Sequence, residues 1–283
     1  MSQIAQIKWL IYRSIYLDIK LIANVPNIHL IKKLLFIINK YIAITQILVS
    51  KKTNTVHKGK SFSGTFYFND EFATGLLQSI YCHNFGLKSY LPVDPIVIDI
   101  GANIGQFCTF SIHYLGAKNV ISFEPIRSCF ETLKLNSRKS VINAAVGSSN
   151  TRQEIFIEER DIMASLVKPV VSLGGRFSSE IVDVIRLDEV KEVTKIPRID
   201  LLKIDTEGYE LEILRSASST IHKSRFLLVE CSVNRPSNGS MDEVCKYMIE
   251  QYPLMKIVDI FNPGRRNNQI ESIEILWRNT ETD

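Results

Sequence analysis

Val97-Ile98-Asp99-Ile100-Gly101-Ala102-Asn103-Ile104-Gly105 is an apolar run that carries a carboxylate near its end and opens into a glycine-bearing turn. Its β-branched residues suit a buried parallel strand, and apolar positions at helical spacing follow from Ile104 to Tyr114. Gly101 and Gly105 have no Cβ, so the chain can bend sharply there and admit a ligand at the helix start. A dinucleotide fold requires G-x-G-x-x-G, in which backbone amides hold a pyrophosphate. Here the order is D-x-G-x-N-x-G, with Asn103 in place of the second glycine. That order favours a cofactor without phosphates. S-adenosylmethionine is the natural candidate, because its zwitterionic methionine end can use backbone amides, an Asn side chain and a nearby carboxylate.

The next strand supports the reading. Asn119 to Phe123 is apolar and ends at Glu124, with Pro125 stopping the strand. In doubly wound folds an acid about 20 residues beyond the glycine turn accepts hydrogen bonds from ribose hydroxyls, and Glu124 fits that role. Further along, the spacing predicts helix 127–138, strand 141–147, strands near 152–158 and 180–187, strand 200–205 and helix 209–220. Strand 225–231, helix 241–250 and closing strands near 255–260 and 270–277 complete the chain. Predominant βα alternation with an antiparallel close predicts an α/β, doubly wound, mostly parallel sheet whose ligands bind beyond the carboxyl ends of the strands. The strand-end residues are Asp99, Glu124, Asn143, Asp205 and Glu230.

At 283 residues, with 45% apolar and 23% charged residues, the chain has room for one substantial domain with additions. Its five cysteines are odd in number and have no C-x-x-C pair, which indicates neither a disulfide framework nor a zinc cluster and fits a reducing, cytoplasmic compartment. Residues 1–52 hold eight Lys/Arg against the single acid Asp18, a net +7, so the remainder of this +4 chain is at −3. Nothing beyond residue 52 forms a basic stripe with interleaved aromatics, so a nucleic-acid partner is a poor reading.

The N-terminal segment is also strongly apolar. Its stretches between charges fall short of the roughly 18–20 residues a membrane span needs, and the recurring charges do not suit a cleavable signal peptide. Residues 1–60 therefore read as a basic, apolar helical extension that either caps the domain or lies on an anionic membrane surface at the inner face. Pro26-Asn27 breaks this region, and Lys51 to Gly64 reads as a connection into a domain spanning 61–283. Phe62 to Phe68 reads as a short strand, and Asp70 as the cap of a helix over 71–82.

Asp200-Leu201-Leu202-Lys203-Ile204-Asp205-Thr206-Glu207-Gly208-Tyr209-Glu210 is the second informative run. A short strand ends at Asp205, and an acid and a glycine precede a helix. Asp205 and Glu207 are the candidate bases and Glu230 the third, while Lys203 reads either as a structural partner for one of them or as a functional group. Asp205 could instead ligate a divalent cation. No second or third ligand is evident in the sequence, so a metal is not favoured. His113 reads as a packed or surface helix residue. His57 and His83 fall in less regular segments, Ser165 in an insertion, and Arg265-Arg266 in a solvated turn.

The set V-I-D-I-G-A-N-I-G (97–105), F-E-P (123–125), N-A-A-V-G (143–147), R-L-D-E (186–189), L-L-K-I-D-T-E-G-Y-E (201–210) and L-L-V-E (227–230) closely resembles the FkbM family of S-adenosylmethionine-dependent methyltransferases. The resemblance covers roughly residues 93–232 and does not reach residues 1–60. It implies a class I methyltransferase (Rossmann-like) fold and O-methylation of a saccharide, glycolipid or natural-product hydroxyl. It further implies cofactor contacts at Asp99, Gly101, Asn103, Gly105 and Glu124, with Asn143 or Ala144 along the adenine edge. Thr206 departs from the Val common at its position in related sequences. Two other readings share the strand, turn and acid: a nicotinamide-dependent oxidoreductase or epimerase, which would lack its third glycine and a Y-x-x-x-K pair, and a noncatalytic membrane- or saccharide-binding protein.

Overall fold

Alternation along the buried strands sorts the chain into two apolar layers on one sheet. Residues 3–50, 56–62, 64–68, 73–137, 140–158, 163–165, 177–233, 239–266 and 269–282 are described by a computed structural model. Helices α1 (Gln3–Asn24) and α2 (Leu30–Ser50) precede a hairpin of β1 (His57–Lys60) and β2 (Thr65–Phe68), then α3 (Ala73–Asn84). The first half of the core runs β3 (Ile96–Ile100), α4 (Gln106–Phe110), β4 (Asn119–Phe123), α5 (Arg127–Asn136) and β5 (Ser140–Ile142). Strands β6 (Ala145–Val146), β7 (Thr151–Glu158), β8 (Met163–Ser165) and β9 (Phe177–Ile185) form a separate sheet, followed by α6 (Lys191–Thr194). The second half comprises β10 (Ile199–Ile204), α7 (Glu210–Ser216), α8 (Ser218–His222), β11 (Ser224–Ser232), α9 (Met241–Gln251), β12 (Met255–Arg266) and β13 (Gln269–Asn279).

The central sheet has the order β12-β13-β11-β10-β3-β4-β5. From β11 to β5 the strands are parallel, and β13 and β12 close the edge antiparallel. Because side chains alternate across a strand, Val97, Val120, Leu201 and Leu228 face the layer built on α3 and α4, while Ile98, Ile121, Leu202 and Leu227 face the layer built on α7 and α9. The same period puts Asp99 and Lys203 on the α3–α4 side. They lie in register with each other, as Glu230 does with Glu274 across β11 and β13.

Several boundaries move for local reasons. The strand expected at 141–147 divides into β5 and β6, which belong to different sheets. Asn143 stands at the division, its amide donating to the carbonyls of Glu124 (2.9 Å) and Pro125 (2.8 Å). The helix expected over 209–220 breaks at Ala217, and α8 starts afresh because the Asp188 carboxylate accepts from the amides of Ser219 (2.9 Å) and Thr220 (2.8 Å). His57 begins β1 rather than a connection, and His83 lies in the last turn of α3 with Nδ1 at 2.9 Å from the Ser79 carbonyl. Since β1 pairs with β2, a domain boundary at residue 60 would cut through a hairpin. Arg265-Arg266 ends β12 instead of lying in a turn. The proposed cap at Asp70 lies outside the described residues.

The α1–α2 hairpin packs on α3 through polar groups. The buried Lys40 ammonium donates to Asp18 (2.5 Å), Ser14 (2.8 Å) and Gln78 of α3 (2.9 Å), and the Gln78 amide also donates to Asp18 (2.8 Å). Lys40→Met should lower stability by about 2–4 kcal/mol in urea unfolding, because it strands the Asp18 carboxylate, whereas Lys40→Met with Asp18→Leu should recover most of the loss.

Candidate active site

Each turn at the carboxyl end of the sheet is built by its own chain. The Phe123 carbonyl accepts from the amides of Gly101 (3.1 Å) and Ala102 (2.9 Å). One Glu124 oxygen accepts from Asn103 N–H (2.8 Å) and the other from Ile126 N–H (2.8 Å), while Asn103 Oδ1 takes the Ile104 amide (2.7 Å). The turn amides from Gly101 to Gly105 are thus all engaged within the protein, which leaves none free to cradle a pyrophosphate.

Both glycines take the left-handed backbone that the sharp bend requires, and the space a Cβ would occupy is filled by this chain's own packing. A Cβ at Gly101, where φ is +79°, would lie 1.8 Å from the Asp205 carbonyl oxygen. At Gly105, where φ is +93°, it would meet Leu133 Cδ1 at 2.9 Å.

A cavity of about 320 Å³ opens beyond these turns, within the roughly 300–1,000 Å³ usual for small-molecule sites. Gly101, Asn103, Glu124 and Ala144 line it, and so do Asp205, Glu207 and Glu230. Three of the expected cofactor residues do not. Asp99 is fully buried behind the wall, Gly105 packs on α5, and the Asn143 side chain is spent on backbone carbonyls. One end of the cavity is an apolar slot that includes Phe123, Ile126, Ala145 and Val146. The other end is a charged floor.

Lys203 organises that floor. Its buried ammonium lies 2.6 Å from Asp205 Oδ2, 4.0 Å from Asp99 Oδ1 and 5.1 Å from the centre of the Phe107 ring. Burial pulls the Lys203 pKa down, but the carboxylates of Asp205, Asp99 and Glu274 more than reverse this, so the group stays charged. Burial raises Asp205, and the Lys203 ammonium with a hydrogen bond from Glu230 outweighs it, holding Asp205 below its usual value. Glu230 is driven well above its usual value by burial and by the charges of Asp205 and Glu207. Within this pair the ammonium favours the ionised form of Asp205, and burial beside like charges favours the protonated form of Glu230.

Glu207 stands in the left-handed region (φ 55°), a strain of about 1–3 kcal/mol for a residue with a side chain. Glu210 holds the turn in that shape by accepting from the amides of Thr206 (2.9 Å) and Gly208 (3.1 Å) and from the Thr206 hydroxyl (3.1 Å). Glu210 therefore shapes the loop and is not restricted to favouring a helix dipole. The Thr206 hydroxyl gains a bond that Val could not make.

One carboxylate oxygen each of Asp205, Glu207 and Glu230 lie within 4.8 Å of one another. The fold thus supplies the second and third acids that the sequence left unassigned. Glu274 was missed altogether. It lines the cavity and accepts a hydrogen bond from Asn84, and its signal was an acid flanked on both sides by apolar residues in the closing strand, Ile273-Glu274-Ile275. Among the described residues, five carboxylates (Glu124, Asp205, Glu207, Glu230, Glu274) and the Lys203 ammonium line the cavity.

S-adenosylmethionine fits this donor set. Its cationic sulfonium suits an acidic wall, its ribose suits Glu124, and its adenine suits the apolar slot. The two acids nearest the glycine turn are held protonated to higher pH than usual: burial lifts Asp99 to about 6 against the pull of Lys203, and lifts Glu124 to about 7 against its two backbone donors. Neither Asp99 oxygen accepts a hydrogen bond among the described residues. A raised carboxyl pKa favours the folded state at low pH, and that contribution is lost as pH rises through the folded value. Asp99→Asn should consequently stabilise the ligand-free protein at pH 8 by on the order of 1–3 kcal/mol in urea unfolding, and change its stability little at pH 4. Affinity for the cofactor should rise between pH 6 and pH 8 as Glu124 ionises, measured by calorimetry at each pH.

A family model described as the methyltransferase FkbM domain matches residues 99–252, more than half of the chain. Hexuronic acid methyltransferase AglP of Haloferax volcanii is 31% identical over 141 residues, covering 48% of this chain and 56% of AglP. The 2-O-methyltransferase NoeI of Sinorhizobium fredii is 24% identical over 230 residues, covering 75% of this chain and 91% of NoeI. Among solved structures, a methyltransferase FkbM from Methylobacillus flagellatus superposes with a TM-score of 0.44 at 18% identity, covering 73% of this chain and 55% of that one. The chain spans little more than half the length of AglP.

Proposed function

The chain belongs to the FkbM methyltransferase domain family, and we propose that it transfers a methyl group from S-adenosylmethionine to a hydroxyl of an uncharged saccharide-like acceptor. The observation that carries this reading is the acidic cavity floor around Lys203, set beside a glycine turn with no amide left for a phosphate. That floor favours a cationic cofactor and disfavours the pyrophosphate of a nicotinamide dinucleotide. The names of AglP and NoeI support a saccharide hydroxyl as acceptor. An acidic lining centred on Asp205, which Lys203 holds below its usual pKa, disfavours a uronate or phosphorylated sugar and favours a neutral one.

S-adenosylmethionine, when bound, supplies a methyl group already activated on a positively charged sulfur. Glu124 would hold the ribose hydroxyls, while Ala144 and the neighbouring apolar slot would hold the base. Asp205, which Lys203 favours in its ionised form, would accept the hydrogen bond of the acceptor hydroxyl and take its proton as the methyl group passes from sulfur to that oxygen. Glu230 and Glu207 orient the acceptor from either side. Asp99 is a positioning residue that acts through Lys203. Most of the rate comes from alignment and from the exclusion of water.

One observation favours a cation-assisted version of the same transfer: the three converging carboxylates of Asp205, Glu207 and Glu230, a set suited to Mg²⁺. Lys203 already neutralises Asp205, which is why the version without a cation is the one proposed. Turnover should persist in EDTA, and a loss restored by added Mg²⁺ would replace it with the cation-assisted one.

Asp205→Asn should lower kcat by about 10²–10⁴-fold while leaving cofactor affinity within about threefold, read as formation of S-adenosylhomocysteine against a panel of neutral and acidic saccharides. Unchanged turnover in the folded variant would remove Asp205 from the mechanism. Calorimetric binding of NAD in place of S-adenosylmethionine would overturn the functional reading itself.

A further inference from the structure

The α1–α2 hairpin buries Leu17, Leu21 and Phe36 against the domain together with two of its lysines, and leaves a second set of large apolar side chains facing outward. Lys33 and Lys40 are buried, Lys33 donating to the Ile22 carbonyl at the end of α1 (3.0 Å) and Lys40 held by Asp18 and Gln78. Outward stand Ile15, Ile19 and Ile22 on α1 and Leu34, Leu35 and Ile38 on α2, between 39% and 62% exposed. Both sets follow helical spacing, so each helix presents a continuous apolar stripe to solvent. Water is the wrong neighbour for such a surface.

We propose that this face is a docking surface for an anionic lipid bilayer, with the hairpin lying in the interfacial plane. Three observations point to lipid. The segment 1–52 carries a net +7 in a chain whose remainder is negative, and six of its eight basic residues are other than the buried Lys33 and Lys40, an excess that attracts anionic headgroups and sets two copies of the same face against each other. Lys20 and Lys32 remain beside the stripes, together with the exposed Tyr16 and Tyr41, the residue types that bridge hydrocarbon and headgroup. No helix among the described residues is long and apolar enough to cross a membrane, so the stripes suit lying in the interface.

The hairpin shares α3 with the cavity. Gln78 of α3 bonds to Lys40, and Leu76 and Ile80 of the same helix line the cavity wall. Docking would place that wall beside the bilayer and favour an acceptor carried on a lipid. This consequence rests on the transfer reading, whereas the docking surface itself does not.

Co-sedimentation of the full chain with vesicles tests the surface directly. Binding is expected to vesicles of phosphatidylglycerol mixed with phosphatidylcholine, and much more weakly to phosphatidylcholine alone. Ile19→Ser, Leu35→Ser and Ile38→Ser together should reduce partitioning by more than about a hundredfold. Lys20→Gln and Lys32→Gln should each reduce it by about fivefold. Circular dichroism and melting temperature identify variants that keep the fold. A chain that stays in the supernatant with anionic vesicles would overturn the proposal, as would binding indifferent to the triple substitution. A dimer in sedimentation velocity that the triple substitution dissolves, without vesicle binding, would assign the face to a second copy instead. Vesicle binding without any methyl transfer would leave this surface standing and count against the transfer reading alone.

Discussion

A buried ammonium set among carboxylates is the constraint around which the site is arranged. Lys203 is nearly inaccessible to solvent, and an isolated charge in that position would be costly by several kcal/mol. It is tolerable because Asp205 touches it, Asp99 stands 4.0 Å away, and the Phe107 ring offers its face. Asp99 and Lys203 meet because β3 and β10 are parallel neighbours in register. A slip of either strand by one residue would send its charge into the opposite apolar layer and leave the other without its partner. Sheet order and site chemistry are therefore one requirement.

The same charges divide the labour of the carboxylates. Asp205, beside the ammonium, is held ionised, and Glu230, beyond its reach and facing Asp205 and Glu207, is held protonated. Two acids of ordinary reference pKa are driven apart by environment, an arrangement suited to proton transfer near neutrality. Asp99 and Glu124, lifted toward neutral pH by burial, cost the fold stability once they ionise, Asp99 behind the cavity wall and Glu124 on it. Stability and function compete there, as is usual for preorganised sites.

The outer layers respond to different constraints. In the α1–α2 hairpin the polar contacts to Gln78 fix the helices to the domain, so the apolar stripes are left to face outward. In the loop after β10, Glu210 bonds the backbone that Glu207 strains, which keeps a left-handed acid pointing into the cavity wall. Both are cases in which a side chain already buried for structural reasons determines what its neighbour presents.

The sequence carries the α/β alternation, the parallel core and the strand-end positions of Asp99, Glu124 and Asp205, because short apolar runs followed by a glycine turn or a proline are local properties. It also marked residues 1–52 as basic and apolar. It did not separate β5 from β6, since that break depends on Asn143 reaching carbonyls 18 and 19 residues away in sequence. Only the tertiary structure decided that Gly101 is required by the Asp205 carbonyl, that Asp99 stands behind the cavity, and that Glu274 joins its floor. It alone showed that Lys33 and Lys40 of the hairpin are buried. The reason is common to all four: a strand reveals which residues share a face, but which faces meet, and so which charges must neutralise one another, is fixed only when the strands are side by side.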